Sequence, residues 1–434
     1  MTSLHHRPHR RGQIGAAIAL LGLCSIASAQ QQQVVKPPQA QAWIDVATFS
    51  GLGMPAMGGG AGAGNPMAAM MGSLFGGGNA KNSFGHTQGG GAGRWVDVTL
   101  STRSNPQLLE AQQSVPAGFL SPALKLQAPE SAPRTALETP DDREVPPPDY
   151  ERPKGRILMY WGCGATVRSG QPRVLDMATA TPADFGKFFV SRRATQRGTH
   201  LAPGRPVWPS RSDARMVPAQ ASLVGEHAFS GSGVPAEFRF QIPPAQDLMP
   251  AIQLKQQALD GGAVELGWNA LPTARAYFAA AMGGGANETD MVVWTSSELP
   301  ENGFGLIDYQ TNAAVDRWLK EKVLLSPETT RCVVPQGVFK GQGAMLRLIA
   351  YGSELNLVHP PRPADPKIAW EPVWAAKLRV KSVASGMLGM EMMDAAGTPP
   401  DGGSPQQQQQ QPAPEMDNKP KLKPADLLRG ILGR

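Results

Sequence analysis

The densest collection of chemically capable residues lies between Lys187 and Arg215. Lys187, Arg192, Arg193, Arg197, Arg205, Arg211 and Arg215 occur there with Asp213 as the only acid, and His200 and Trp208 are interleaved. Guanidinium forks match the paired oxygens of phosphate and carboxylate. The stretch is therefore a candidate anion-binding loop for lipid headgroups, lipopolysaccharide phosphates or anionic polysaccharide. Pro203, Pro206 and Pro209 break any regular element across it. The alternative is an arginine-rich loop that is simply solvated. A second chemistry would need two carboxylates, and Asp308 with Glu298 or Glu301 is the pair that the sequence offers to a hydrolase of polysaccharide or peptide.

Other reactive constellations are missing from the sequence. After a leader is removed the histidines are His86, His200, His227 and His359, widely spaced, and His227 in GEHAF has no second His at helical spacing. No CxxC or Cys/His cluster suits zinc. Ser230-Gly231-Ser232-Gly233 is offset from a nucleophile elbow, and no glycine run leads into Gly-Lys-Ser/Thr. No catalytic residue, cofactor or metal is assigned on these grounds, and the reading leans away from an enzyme. Cys163 and Cys332 remain once Cys24 leaves with the leader. They are candidates for a disulfide in an oxidising compartment, or for two separate buried thiols.

A compartment is legible at the N-terminus. Arg7, Arg10 and Arg11 precede an apolar run, Ile14–Ile26, and Ala27-Ser28-Ala29 supplies the small residues of a cleavage site. This predicts a signal peptide over 1–29, cleavage after Ala29, and a periplasmic or secreted protein. Removing it takes three arginines and no acid, so the formal charge of +6 becomes +3. That modest value gives no reason to expect a nucleic-acid partner. No later run is long enough for a transmembrane span in the mature chain.

The elements that must position these residues read mainly as β-strands. In the 434 residues, 49 Gly and 41 Pro are clustered, so part of the length is not packed core. A disordered lead-in is expected over 30–41. Trp43–Phe49 and Arg94–Thr102 alternate as strands, and WIDVAT echoes WVDVTL. They enclose a low-complexity, Gly-rich insert at 51–93, over which they are read as an antiparallel pair, within a region 42–127 whose segment Asn105–Leu126 reads as irregular extended chain. A linker or loop rich in Pro and acids covers 128–154. A first β domain is expected over 155–246, with 42–50 and 94–103 as candidates to pair into it. Its strands are Arg156–Trp161, Arg173–Met177, Ala219–Phe229 and Glu237–Ile242. A second β domain is expected over 247–385, with strands at Val264–Trp268, Ala276–Met282, Met291–Thr295, Arg331–Val334, Ala344–Tyr351 and Ala375–Val383. Its one helix, Ala313–Leu324, places Val315, Trp318, Leu319 and Val323 on one face with Asn312 as cap. A disordered, Gln/Pro-rich tail is expected over 386–434, ending in a basic segment with Leu427, Leu428, Ile431 and Leu432 on one side.

Leu266, Trp268, Pro272, Ala274 and Tyr277 together resemble the start of a fibronectin type III domain: a strand with a Trp, a Pro-containing turn, and a strand with a core Tyr. The resemblance covers about 25 residues and implies a β-sandwich scaffold, with Trp268 and Tyr277 as core residues and no reaction attached. Elsewhere the chain resembles an exported bacterial protein. The sequence thus predicts two β-sandwich-like domains in series, with one short helix in the second. It points to a non-enzymatic protein with an envelope-associated binding or structural role and an envelope component as partner. The hydrolase and the anion-binding module for an anionic surface or polysaccharide stand as alternatives.

Overall fold

The computed structural model describes residues 33–51, 82–130, 154–194, 198–339 and 343–389. The readings for the leader (1–29), the residues 30–32 of the lead-in, 52–81 of the Gly-rich insert, 131–153 of the linker and 390–434 of the tail lie outside the described residues. In chain order the strands are β1 Ala40–Gly51, β2 Gly93–Thr102, β3 Glu110–Ser114, β4 Ala123–Gln127, β5 Arg156–Trp161, β6 Arg173–Asp176, β7 Val207–Trp208, β8 Gly225–Gly231 and β9 Arg239–Ile242. They continue as β10 Lys255–Ala258, β11 Val264–Gly267, β12 Ala276–Gly284, β13 Met291–Thr295, β14 Arg331–Val334, β15 Ala344–Tyr351, β16 Leu355–His359 and β17 Trp374–Leu388. Three helices accompany them: α1 His86–Gly89, α2 Pro182–Phe188 and α3 Asn312–Lys320.

The fold is mainly β. One 14-stranded sheet runs β6-β5-β13-β12-β15-β17-β1-β2-β7-β4-β3-β8-β9, with β16 also on β17, and a 3-stranded sheet runs β10-β11-β14. The boundary expected at 246/247 does not separate two sheets. β5 from the first interval pairs in parallel with β13 from the second, and β1 pairs in parallel with β17. The reason is non-local: β17 is long enough for β1 to pair with it over 12 residues, far beyond anything a local pattern displays. The expected hairpin of β1 with β2 is present in antiparallel register, with Ile44 opposite Val98 and Asp45 opposite Asp97.

Three readings are corrected by hydrogen bonding. Residues 33–41 of the lead-in are held in place: Trp370 N donates to Val34 O at 2.9 Å, Lys36 N donates to Trp370 O at 2.9 Å, and β1 already starts at Ala40. Residues 386–388 belong to β17 and not to the tail. Asn105–Leu126 likewise contains β3 and β4. Their sparse apolar residues Ala111, Leu124 and Leu126 face inward, together with Gln113.

Helix α3 starts one residue earlier than expected and stops sooner. Thr311 caps it, its hydroxyl accepting from Ala314 N at 3.3 Å. The carboxamide oxygen of Asn312 is taken instead by Arg275 at 2.6 Å and by Glu354 N at 2.9 Å. Lys322 at φ 57 ends the helix in a left-handed turn.

The two faces of the large sheet follow from the alternation of its central strands. Ile44, Val46, Val98, Leu100, Leu378, Val380, Leu346 and Leu348 point to one side, into a core shared with Leu266, Trp268, Cys332 and Val334 of the small sheet. Between β11 and β12 the turn at Leu271–Thr273 carries the chain from the small sheet to the large one. Trp268 and Tyr277, expected as core, are buried with ring centroids 5.5 Å apart, and Leu271 N donates to the Tyr277 hydroxyl at 3.1 Å. Cys163, just past β5, forms a disulfide with Cys332 on β14, with Cα atoms 5.2 Å apart, and so ties the small sheet to the large one.

Candidate functional site

The opposite face is where charge collects. Cross-strand partners share a face, so the register puts Asp97, Asp45 and Arg379 in one row across β2, β1 and β17, with Lys381 two residues further along β17. Arg347 on β15 lies opposite Ser385 on the same side. Ala47, Phe49, Trp95, Phe278, Ile349 and Val383 surround the row, and Val315 and Trp318 of α3 pack over them. The charged groups are thus set in an apolar frame, where an unmatched charge is costly.

Most of them are matched. Arg379 donates to both Asp45 oxygens, from Nε at 2.7 Å and from a terminal nitrogen at 2.6 Å, with both side chains almost fully buried. Burial disfavours the guanidinium charge, but Asp45 outweighs this and raises the Arg379 pKa. Thr199 completes the Asp45 shell, donating from N at 3.1 Å and from its hydroxyl at 2.7 Å. The chain reaches this point because residue 198 is glycine: a Cβ there would collide with the Arg379 guanidinium. Lys381 Nζ donates to Asp308 at 3.0 Å. Burial pushes the Asp308 carboxyl up, but the Lys381 and Arg379 cations prevail and hold it below the usual range, while burial lowers Lys381. The Tyr309 ring accepts both cations, Arg379 at 4.3 Å and Lys381 at 4.1 Å from its centroid.

Two members lack an ionic partner among the described residues. Asp97 has no cation in hydrogen-bond contact. It accepts from Gly85 N at 3.0 Å, from Thr87 N at 3.2 Å and from the Thr87 hydroxyl. Burial is the main cause that raises its pKa to about 7; the bonds from Thr87 and Gly85 oppose the rise and the Asp45 charge adds to it. Arg347 has no acid in contact, its Nε is shielded and unpaired, and burial lowers its pKa. The arrangement can hold segments of chain onto the sheet and can exchange a proton at Asp97. Among the described residues no group of three or more His, Cys, Asp or Glu side chains could hold a metal ion.

The carboxylates suggested for a hydrolase are each engaged. Asp308 is on Lys381. Glu301 is buried and accepts from Arg192 at 3.1 Å, Ser191 at 3.1 Å and Gly303 N at 3.1 Å. Glu298 takes both terminal nitrogens of Arg168, at 2.5 and 3.0 Å, which holds its pKa low.

The cations of the candidate anion loop go in several directions. Arg192 is shared by Glu301 and Glu321, Arg211 meets Glu130, and Arg215 grips Asp213 and the carbonyls of Leu120 and Ala123. Lys187 sits exposed in the last turn of α2, Arg193 is exposed, and Arg197 lies outside the described residues. Arg205 lies against His200 and lines, with Arg103, Pro106 and Pro203, a groove of about 410 Å³. His227 is a satisfied core residue, its ring between Gln113 at 3.0 Å and Leu223 O at 2.7 Å.

Sequence reasoning missed the central row. Its signal was present: Asp45 and Asp97 sit in strands whose alternate positions are apolar on both sides, which marks a buried carboxylate. No protein-family model matches the chain, and no curated protein matches it.

Proposed function

We propose that this is an exported, non-enzymatic protein with a binding or structural role in the cell envelope. The observation that supports this reading is the pairing of its reactive groups with one another. Asp308, Glu298 and Glu301 are each neutralised by a cation of the fold, and Arg192, Arg211 and Arg215 are each spent on an acid of the fold. Carboxylates fixed in this way are poor acids and bases for a substrate. The intramolecular disulfide agrees with an oxidising compartment. The fibronectin-like strands around Trp268 and Tyr277 would then serve as scaffold, and the groove lined by Arg103 and Arg205 is where an anionic surface or polysaccharide would bind, in competition with Glu371 for Arg103.

Production of the full chain with its leader in a Gram-negative host tests the reading. The expected product is periplasmic, begins at Gln30, resists thiol alkylation until reduced, and hydrolyses neither polysaccharide nor peptide substrates. Retention in the cytoplasm, or turnover that is lost in Asp308→Asn, would contradict it.

A further inference from the structure

The residues that bring the Gly-rich insert back to the sheet, Asn82–Ala92, are docked almost entirely on one strand. Gly85 and Thr87 hang on the Asp97 carboxyl. The His86 ring stands edge-on to Trp95, 4.4 Å between centroids, and the Trp95 indole donates to Gly91 O at 2.9 Å. Asn82 donates to Arg215 O at 2.9 Å. The carboxyl at the centre of this dock sits directly opposite a second carboxyl, Asp45, and both are buried. The adjacent cation, Arg379, is bound to Asp45 through two nitrogens. One cation therefore serves two carboxylates, and the second is best accommodated with a proton on it. In that form its O–H can donate to the Thr87 hydroxyl while both backbone N–H groups keep their acceptors.

We propose that Asn82–Ala92 is a pH-sensitive clasp for the insert, closed while Asp97 is protonated and loosened when Asp97 ionises beside Asp45. Asp45 of β1 stands opposite Asp97 and its charge adds to the raised pKa; Arg379 of β17 and Thr199, which precedes His200, are bound to that Asp45; Tyr309 of the covering segment senses the Asp97 charge; and His86 belongs to the clasp itself. Burial holds His86 below its ordinary pKa, which favours its neutral form, and the Asp97→Asn comparison below separates its contribution from that of Asp97. The sign follows from linkage: a carboxyl raised in the folded state favours the docked form at low pH, and that contribution fades as pH rises through about 7.

Hydrogen exchange of the intact, oxidised mature protein, corrected for intrinsic rates, tests this. Protection of the clasp amides should fall roughly tenfold between pH 6 and 9, while amides of β12 and β15 stay level. In Asp97→Asn the fall should vanish. An equal clasp protection at both pH values, or the same fall in Asp97→Asn, overturns the proposal. Should Asp97→Asn not fold, carboxyl-carbon NMR of the wild type decides: one aspartate titrating near pH 7 is expected, and all aspartates titrating below pH 5 refutes it.

Discussion

The two faces of the central strands are built from the same residues taken alternately, yet they solve burial in different ways. On one face Ile44, Val46, Val98, Leu378 and Val380 share an apolar core with the small sheet, and Thr48 and Ser382 further along donate to cover carbonyls, Met249 O and Pro250 O. On the other, Asp45, Asp97, Arg379 and Lys381 stand at neighbouring positions and are covered by segments that bring hydrogen bonds with them: Gly198–Thr199, Asp308–Tyr309 and Gly85–Thr87. An apolar face accepts any cover of the right shape. A charged face accepts only a cover that satisfies it, which fixes where three irregular segments must lie. The difference teaches that charge here acts as a positioning device for loops that have little apolar surface of their own.

The largest break should come from the charged face. Arg379→Met leaves Asp45 without its cation beside Asp97, and a loss of about 3–5 kcal/mol is expected in urea unfolding near neutral pH, shrinking at acid pH as the carboxyls protonate. Stability unchanged at neutral pH would remove the distinction between the faces. On the apolar side Leu378→Ala should cost about 2–5 kcal/mol, and here the loss should be the same at pH 5 and pH 8. Gly198→Ala presses a methyl group into the Arg379–Asp45 pair, with an expected loss of about 1–3 kcal/mol; a melting temperature equal to wild type would show that the segment is not held as described. The smallest effect concerns His227. Burial lowers its pKa, with the bond to Leu223 O only partly opposing this. The unfolded chain therefore binds the proton better, and stability should drop modestly as pH falls below 6.5, a drop that proton NMR can assign to a ring titrating below a free histidine.

Much of this architecture was readable residue by residue, and what was not has a physical cause. β2, β5, β13, β14 and β15 match the sequence expectation to within a residue or so because an alternating or continuous apolar run is a local signal. The strand β3 carries no local signal because EAQQS has a single apolar side chain; Gln113 points inward there only because His227, 114 positions away, receives it. The lysines and arginine of KLRVK, Lys377, Arg379 and Lys381, look like one solvent face at period two. Arg379 and Lys381 are buried, and Lys377 partly so, because segments 198–199 and 308–309 cover that face and β1, paired across 334 positions, supplies Asp45, none of which a local pattern carries. The same non-local closure joins the two expected domains into one sheet.

Asp45 and Arg379 stabilise the fold through each other. A double-mutant cycle with Asp45→Leu, Arg379→Met and the combined variant, measured by urea unfolding at pH 7.5, tests it most directly. Each single change should be costly, and the combined variant should recover much of the loss, giving a coupling of about 2 kcal/mol or more. Two losses that simply add, within about 0.5 kcal/mol, would contradict the claim.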